Sequence, residues 1–432
     1  MNNIILGAGI TGLSAGISSG FQIYESENFP GGICASYYLK PEGGTKHHKT
    51  QADEENYRFE IGGGHWIFGI DALLLSFLET FTTFKRYERQ SSVYFPERKK
   101  YIPYPIQNHL SYFENSKATQ ILDEIAARSR QDALTMDKWI LQNFGPTLSE
   151  EFFFPFHKLY TAGLYQRIAP QDAYKSPIDL KAVIRGALDQ PRAVGYNTEF
   201  IYPTRGLNVL TEKMADHCNI HFNKNAVEID TEQKKVIFSD GTAEQYDKLI
   251  STIPLSKILE LSKSKLSGTD PHTSVLVLNI GADKGINYPS DNWLYIPQCD
   301  SGFHRVGFYS NVDPSFLPKS DRVKKRKCSL YIERAFSPDK KPSADEIENY
   351  KLSVQHELQE WGFIESIDVI DATWIEFAYT WKWPHNNWRE KAINELREKS
   401  IYQTGRYGKW KFQGIADSIK EGLLVGTFLK YL

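Results

Sequence analysis

The stretch Asn3-Ile4-Ile5-Leu6-Gly7-Ala8-Gly9-Ile10-Thr11-Gly12 decides the fold of this chain. An apolar run leads into Gly-x-Gly-x-x-Gly and then into small residues, which is the order of strand, turn and helix that a dinucleotide fingerprint requires. Gly7 would allow the tight turn, Gly9 would let a pyrophosphate approach the backbone, and Gly12 would let the helix pack closely on the strand. The N–H groups and the dipole at the helix N-terminus favour a bound phosphate. The chain is therefore expected to begin with a Rossmann-type α/β domain.

A second strand and two further glycine clusters extend this pattern. Phe21 to Glu25 is typical of a strand that ends in an acid, where the pattern places a carboxylate for the ribose hydroxyls of an adenosine. Pro30-Gly31-Gly32 follows, and Phe59 to Trp66 contains Gly62-Gly63-Gly64-His65, where the backbone can approach a flat or anionic group. Together these clusters predict a bound dinucleotide rather than ordinary turns.

Length and composition exclude several classes of protein. A chain of 432 residues exceeds what one compact core usually supports, so we expect two or three domains. The formal net charge of -2 gives no general attraction to nucleic acid or to an anionic membrane. No apolar stretch approaches the roughly 20 residues of a membrane span, so we expect no membrane span and a cytoplasmic location. The composition leaves open whether the chain forms homo-oligomers.

The cysteines form neither a metal-binding nor a disulfide pattern. Cys34, Cys218, Cys299 and Cys328 are far apart and include no C-x-x-C pair, which predicts free thiols in a reducing compartment. Lys46-His47-His48-Lys49 lies in a polar segment that we interpret as a surface loop. We therefore expect no bound metal.

The middle of the chain predicts an inserted helical domain from about residue 73 to 197. Apolar residues recur at helical spacing from Asp71 to Phe84 and from Ala118 to Arg128. Met136 to Lys181 is again mostly helical and rich in aromatic residues. Between these helices, the prolines of Tyr101 to Asn108 forbid a central strand or helix and predict an extended segment.

The second half of the chain predicts a return to the first domain and then a second sheet. Short alternating runs between Ile220 and Pro254 are typical of strands of the first domain. Five runs between Thr273 and Phe377 predict a largely antiparallel sheet. One helix is expected to cross it, because Ser343 and Glu346 form a capping box before an apolar stripe. At the end, Gly405-Arg406 and a small-residue helix start at Ala416 to Ile419 predict a last contact with the cofactor, through backbone N–H groups of Ile419 and its neighbours.

Taken in order, these motifs resemble the flavoprotein superfamily that includes amine oxidases, protoporphyrinogen oxidase and UDP-galactopyranose mutase. The resemblance covers the whole chain and also rests on Asp240-Gly241 and Ser251-Thr252-Ile253-Pro254. It implies FAD and a Rossmann-type FAD-binding domain with an inserted helical domain and an antiparallel β-sheet substrate domain. The implied limits are 1–72, 198–270 and 398–432 for the FAD-binding domain, 73–197 for the helical substrate domain and 271–397 for the sheet domain. The implied cofactor contacts are Gly7, Gly9, Gly12, Glu25, Gly32, Gly63, Gly64, Val227, Arg406, Asp417, Ser418 and Ile419.

Three stretches outside the FAD-binding domain resemble the UDP-galactopyranose mutase family. Tyr101 to Asn108 resembles its VPYPFQN segment, and Asn292 to Pro297 with Phe303 to Val306 resembles its WLYFP and FYR run. Leu164 to Ala169 resembles the segment that supplies a second substrate-side arginine. The resemblance implies catalytic roles for Arg167, Arg305 and His65, with His65 against the flavin, and substrate contacts from Tyr104, Gln107, Phe156, Tyr160, Tyr295, Tyr379 and Phe412.

Three of these positions depart from the family pattern. Phe412 stands where family members carry tyrosine, which removes one hydroxyl from the diphosphate site. Pro155 to Tyr160 is a shortened form of the nucleobase segment PYN-x-K-x-W. The family's phosphate-binding tyrosine is matched to Tyr379 in an altered segment.

The resemblance implies a nucleotide-sugar pyranose/furanose mutase, an isomerase in which N5 of the reduced flavin attacks the anomeric carbon with no net redox change. NAD(P)H is a candidate reductant, and the partner is a nucleotide-diphosphate sugar. Arginine suits a diphosphate because its planar fork is permanently charged. Two alternatives stay open: an FAD-dependent oxidoreductase of the amine oxidase or protoporphyrinogen oxidase type, and a flavoprotein that binds without catalysis. An amine oxidase would favour an aromatic cage without an arginine pair.

Overall fold

The computed structural model describes residues 2–49, 54–128, 132–171, 178–190 and 197–432. Its strands are β1 Asn3–Leu6, β2 Gln22–Tyr24, β3 Ser36–Leu39, β4 Tyr57–Glu60, β5 Phe84–Glu88, β6 Ser91–Phe95, β7 Lys100–Pro103, β8 Glu199–Pro203, β9 Ile220–His221, β10 Ala226–Asp230, β11 Lys235–Phe238, β12 Ala243–Gln245, β13 Lys248–Ser251, β14 His272–Lys284, β15 Trp293–Tyr295, β16 Arg305–Phe308, β17 Lys327–Phe336, β18 Ile364–Thr380 and β19 Ile401–Gln403. Its helices are α1 Ile10–Ser19, α2 Ala72–Glu79, α3 Asn115–Ala126, α4 Met136–Leu148, α5 Phe154–Tyr160, α6 Leu180–Leu188, α7 Leu207–Ala215, α8 Leu255–Leu261, α9 Tyr309–Val312, α10 Ala344–Glu360, α11 Trp388–Glu398, α12 Gly405–Gly408 and α13 Ile415–Tyr431.

A parallel sheet of five strands, in the order β19-β13-β1-β2-β9, forms the first core. Ile4 and Ile5 of β1 are fully buried, as both faces of a parallel sheet require. The carboxyl ends of parallel strands lie at one edge, so Gly7 after β1, Glu25 after β2 and Thr252 after β13 meet there. The Gly7 N–H donates to Tyr24 O, and the Thr252 N–H donates to Leu6 O. The predicted Rossmann-type domain and the later return of the chain to it are confirmed.

The two helices that pack face to face beside this sheet, α1 and α13, approach each other through small residues. A Cβ on Gly422 of α13 would lie 2.3 Å from Thr11 O of α1, and one on Gly426 would lie 2.4 Å from Ala15 O. The end of the chain is therefore part of the first domain. Within the described residues, no helix combines the length and the apolar character needed to cross a membrane.

A second sheet of seven strands, in the order β18-β14-β17-β16-β15-β6-β7, forms the other half of the molecule. Its pairs are antiparallel except for β15 and β6, which run parallel. The predicted second sheet is thus confirmed. Helix α10 covers it with Val354 and Leu358, both fully buried, and begins with the predicted capping box of Ser343 and Glu346.

The segment that we expected to be an inserted helical domain is partly strand. Helix α2 ends at Glu79, not at Phe84, because the β-branched residues Thr80, Thr82 and Thr83 disfavour its continuation. Strands β6 and β7 then join the end of the seven-stranded sheet. The helices from α3 to α6 lie between Asn115 and Leu188, and parts of the predicted domain, 129–131, 172–177 and 191–196, lie outside the described residues.

Near the predicted domain limit at residue 397, helix α11 packs with residues of the first domain. Helix α11 falls inside the predicted sheet domain, yet Trp388, Ala392 and Leu396 share a core cluster with Ile4 of β1 and Leu249 of β13. The packing of α11 therefore links it to the first domain. The limits as a whole stay a prediction.

Helix α13 provides a test of the close helix packing. We expect Gly422→Ala to lower the free energy of unfolding by about 1–3 kcal/mol, since the added methyl group has no space against α1. Alanine is the better helix former, so a simple propensity effect would have the opposite sign. Thermal unfolding measures the change, with Leu424→Ala on the exposed face of α13 as the control. An unchanged or higher melting temperature for Gly422→Ala would contradict this packing.

Candidate functional site

An open groove lies over the turn that follows β1. Gly7 has φ +98°, and a Cβ on Gly12 would lie 1.9 Å from Gly7 O, so α1 starts directly against the turn. A Cβ on Gly9 would meet no atom within 4 Å. The Ala8 N–H donates to Glu25 Oε2 at 2.6 Å, which holds the buried carboxylate at the edge of the groove. These are the features that a dinucleotide pyrophosphate and ribose require.

The other predicted glycines line the way from this groove to the second sheet. A Cβ on Gly32 would lie 3.4 Å from Gly9 Cα. Gly63 has φ +77°, and a Cβ on Gly64 would lie 2.1 Å from the hydroxyl oxygen of Tyr331. The two glycine clusters therefore bring the backbone of the first domain directly against strand β17.

The start of α13 differs from the expectation. Gly414 is the N-cap, and the Ser418 N–H already donates to Gly414 O at 3.0 Å. Ile419 lies deeper in the helix and is fully buried. The N–H groups of Ser418 and Ile419 are thus used by the helix itself, and Asp417 belongs to the first turn, where N–H groups have no partner within the helix.

A cavity of about 440 Å³ lies between the groove and the seven-stranded sheet. Residues from the first domain, the helical segment and the second sheet line it together. The predicted site residues among them are Gly64, His65, Tyr104, Phe156, Tyr160, Tyr295, Arg305, Tyr379, Arg406, Phe412 and Asp417.

Strand register places Arg305 at the centre of one wall. Arg305 of β16 pairs with Tyr295 of β15 on one side and with Glu333 of β17 on the other. Its Cζ lies 5.4 Å from the centre of the Tyr295 ring, and its Nη1 lies 3.3 Å from both carboxylate oxygens of Glu333. The Tyr379 hydroxyl donates to Glu333 Oε2 at 3.3 Å. Two neighbouring strands therefore hold the guanidinium between an aromatic ring and a carboxylate.

The charges of this cluster follow from its burial and its pairing. Burial raises the pKa of Glu333, but Arg305 and His304 outweigh that effect and bring it to about 2. Burial lowers the pKa of His304, although Glu333 partly compensates. The pKa of Arg305 is raised well above its usual value, because the attraction to Glu333 outweighs the lowering effect of burial. Near neutral pH the wall thus carries an ion pair beside a neutral histidine.

Aromatic rings form a second wall of the cavity. Phe156 and Tyr160 of α5 are stacked with centres 5.5 Å apart, and Tyr160 meets Tyr379 edge-on at 4.8 Å. The ring centre of Tyr104 lies 4.5 Å from the ring centre of Tyr295. The altered nucleobase segment therefore contributes rings to the cavity.

His65 lies where the two domains meet, as expected for a residue close to a ring cofactor. Its Nδ1 is 3.1 Å from Gly63 O, and because a carbonyl only accepts, Nδ1 carries the proton. Burial lowers the pKa of His65, so the ring is neutral. His65 thus presents a fixed neutral imidazole.

Arg406 closes the cavity on the side of the first domain. It donates from Nη2 to Ala378 O at 2.9 Å, and its Cζ lies 4.7 Å from the centre of the Phe412 ring. Phe412, which lacks the family hydroxyl, therefore packs on a guanidinium.

Arg167, Gln107 and Val227 are predicted site residues that lie outside the cavity lining. Arg167 is exposed and lies over the Trp383 ring at 5.1 Å, so the structure does not bring it together with Arg305. Gln107 is fully buried in the turn after β7. Val227 of β10 is 46% exposed, in the segment whose Lys224 N–H donates to Glu25 O.

Sequence reasoning missed two charged residues of the cavity. Arg89 precedes β6, is 8% exposed, and donates from Nη2 to Tyr104 O at 3.0 Å. Glu333 is the other. An acid next to Leu330-Tyr331-Ile332 in a buried strand was a usable signal for Glu333, whereas Arg89 had none.

The described part of the chain offers neither a candidate metal site nor, at Cys34, an activated thiol. No group of three His, Cys, Asp or Glu residues there could hold a metal ion. Cys34 is a free thiol near the cavity, and burial raises its pKa to about 12. Such a thiol is a poor nucleophile at neutral pH.

The family model described as flavin containing amine oxidoreductase matches residues 8–280, which is more than half of the chain. The chain belongs to this family. The flavin containing amine oxidoreductase family implies FAD, and the residues fit it: Gly9 leaves an open cradle, Glu25 is placed for a ribose, and Arg406 Nε is buried without a partner. The groove would hold the adenosine diphosphate part, and the residues around His65 and Gly64 would hold the ring.

Solved structures share this fold at low sequence identity. A reduced UDP-galactopyranose mutase is 22% identical, with a TM-score of 0.84 over 99% of this chain and 95% of that one. A putative protoporphyrinogen oxidase from Exiguobacterium sp. 255-15 is 13% identical, with a TM-score of 0.71 over 99% and 98%. A putrescine oxidase bound to putrescine is 12% identical, with a TM-score of 0.60 over 100% and 99%. These likenesses show the fold alone, which combines a parallel and a largely antiparallel sheet as in flavin amine oxidases.

The open space over Gly9 gives a direct test of the cofactor groove. We expect Gly9→Asp to bind little or no flavin, because the side chain and its charge would occupy the pyrophosphate position. The ratio of flavin absorbance to protein absorbance measures this, and circular dichroism checks the fold. Ile286→Ala, at an exposed position outside the cavity lining, is the control. Full flavin occupancy in Gly9→Asp would contradict the placement.

Proposed function

We propose that this protein is an FAD-dependent nucleotide-sugar pyranose/furanose mutase, an isomerase similar to UDP-galactopyranose mutase. The observation that carries the proposal is the position of Arg305, buried in the cavity wall between Tyr295 and Glu333. A diphosphate needs a planar, permanently charged donor in such a place. The likeness to a UDP-galactopyranose mutase structure supports the same reading.

The charge of the lining favours an anionic substrate. Among the described residues that line the cavity, the arginines are Arg89, Arg305 and Arg406, and the carboxylates are Glu333 and Asp417. Glu333 is already paired with Arg305. A substrate with a diphosphate would be attracted, and a free ammonium group would meet cationic side chains.

The residues of the cavity have separable roles in this proposal. Arg305 binds the diphosphate and the Tyr104 hydroxyl orients it. Tyr379 contributes its ring to the lining, and the rings of Phe156 and Tyr160 exclude water from one side. When bound and reduced, the flavin supplies a nucleophilic nitrogen that makes the exchange possible without net oxidation. The protein therefore has to position the sugar and hold charge.

A second substrate-side arginine, Arg167, is proposed from the sequence resemblance. Arg167 stays a proposal that rests on its sequence segment, because it is exposed and lies on Trp383. Arg89 already lines the cavity and holds Tyr104 O. We propose Arg89 as an additional substrate-side arginine.

The alternative function is an FAD-dependent oxidoreductase acting on an amine or an apolar ring. The aromatic wall of Phe156, Tyr160, Tyr295 and Tyr379 favours it, since such rings can enclose a cation or an apolar group. Arg305 and Arg406 over these rings disfavour a cationic substrate. Redox stoichiometry distinguishes the two functions.

We expect turnover of a nucleotide sugar only with the dithionite-reduced protein, and no net consumption of electrons. The reason is that the flavin nitrogen is a nucleophile only in the reduced state. Product is measured by chromatography of nucleotide sugars incubated with reduced and with oxidised protein, and oxygen uptake is recorded in parallel. Stoichiometric consumption of NAD(P)H or oxygen per product would favour the oxidoreductase.

We expect Arg305→Ala to weaken nucleoside diphosphate binding by about 2–5 kcal/mol, since it removes a charge-assisted hydrogen bond in a buried site. Arg305→Lys should restore only part of the affinity, because lysine keeps the charge and loses the fork. Isothermal titration measures the affinity, and flavin content reports the fold. Arg86→Ala, an exposed residue paired with Glu199, is the control. Unchanged affinity in Arg305→Ala would refute the sugar-nucleotide assignment.

A further inference from the structure

Three side chains approach the carboxylate of Glu333, from Tyr379 on β18 and from the adjacent residues His304 and Arg305 at the start of β16. Arg305 Nη1 lies 3.3 Å from both of its oxygens, the Tyr379 hydroxyl lies 3.3 Å from Oε2, and His304 Nε2 lies 3.4 Å from Oε2. The residue is 3% exposed and lines the cavity. It is therefore a shared acceptor beneath the proposed diphosphate site.

The protonation of this cluster argues against an acid role for Glu333. An ionised carboxylate only accepts hydrogen bonds, so Arg305 and Tyr379 donate to it. His304 Nε2 lies close to the carboxylate without forming a hydrogen bond. Since Glu333 remains ionised near neutral pH and its oxygens face these donors, it has no proton to give to a substrate.

The contact with Glu333 also selects which part of Arg305 is available. Nη1 faces the carboxylate, and Nε is buried without a hydrogen-bond partner. Nε and Nη2 are the nitrogens that the contact with Glu333 leaves for a ligand. Because the fork is planar, holding Nη1 fixes the direction in which Nη2 points.

We propose that Glu333 is a positioning residue that orients Arg305 toward the diphosphate of the substrate. The inference rests on the proposed function, because it takes the anion bound by Arg305 to be that diphosphate. It extends the proposal to a residue that makes no contact with the anion itself.

A simpler role for Glu333 would be to neutralise the charge of Arg305. For Glu333→Gln, the two roles predict opposite changes in the affinity for diphosphates. If Glu333 only balanced charge, Glu333→Gln would bind diphosphates more tightly, because a repulsive charge near the anion is removed, and Glu333→Asp would change little. If Glu333 positions Arg305, both variants bind more weakly, since Gln has one acceptor oxygen for the same donors and Asp withdraws the carboxylate by one carbon.

The experiment is isothermal titration of the flavin-loaded protein with UDP and with inorganic pyrophosphate. It compares Glu333→Gln and Glu333→Asp in the wild-type background and in an Arg305→Ala background. Glu357→Gln is the matched control: Glu357 is also a buried carboxylate, accepts from the N–H groups of Asp300 and Ser301, and does not line the cavity. Flavin content and melting temperature are measured for every variant.

We expect both Glu333 variants to bind UDP about tenfold more weakly than the wild type, the size of one hydrogen bond to a charged group. The effect should fall below about twofold in the Arg305→Ala background, because a residue that acts through Arg305 has nothing left to orient. Glu357→Gln should bind UDP normally even if it unfolds at a lower temperature.

Tighter binding by Glu333→Gln, or an equal loss in both backgrounds, overturns the positioning role while leaving the proposed function intact. Failure of the wild-type protein to bind either probe overturns both. If Glu333→Gln does not fold, Glu333→Asp decides alone, and unchanged UDP affinity in that variant overturns the inference.

Discussion

The arrangement of the cavity depends on one buried ion pair, between the guanidinium of Arg305 and the carboxylate of Glu333. Removing two charges from water is costly, and their attraction compensates only where the geometry is good and further hydrogen bonds satisfy the remaining groups. Here they are direct cross-strand neighbours, and Tyr379 adds a donor. A slip of β16 by one residue would turn Arg305 to the opposite face and leave Glu333 buried without it. The ion pair and the strand register therefore require each other.

A second constraint joins the two halves of the molecule at Tyr331. A Cβ on Gly64 would lie 2.1 Å from its hydroxyl oxygen, and one on Gly307 would lie 2.0 Å from its Cζ. The tyrosine ring thus fills space that only glycines on both sides leave free. This contact holds the glycine cluster after β4 against β16 and β17. As a consequence, the region suited to a flavin ring and the wall that carries Arg305 enclose the same cavity.

Elements with strong local signals were predictable from the sequence. The capping box at Ser343 and the strand, turn and helix around Gly7 need only neighbouring residues to form, and both are present. Weaker signals led to errors at element ends. Apolar spacing alone extended α2 to Phe84, although Thr80, Thr82 and Thr83 disfavour a helix there. The cofactor contact expected from the N–H of Ile419 did not take into account that α13 begins at Ile415, with Gly414 as its N-cap.

By itself, the sequence determined the Rossmann-type turn, the alternation of helices and strands and the resemblance to flavoproteins, because a missing Cβ or an apolar period is a property of a few adjacent residues. Only the tertiary structure decided which charged groups share the cavity. Arg305 and Glu333 are 28 residues apart, and Arg89 precedes a strand that enters the sheet beside β15 from a distant part of the chain. Arg167 has a sequence segment that suggests the site, yet its side chain lies on Trp383. The physical reason is that convergence depends on strand order and register across the sheet, which no local pattern specifies.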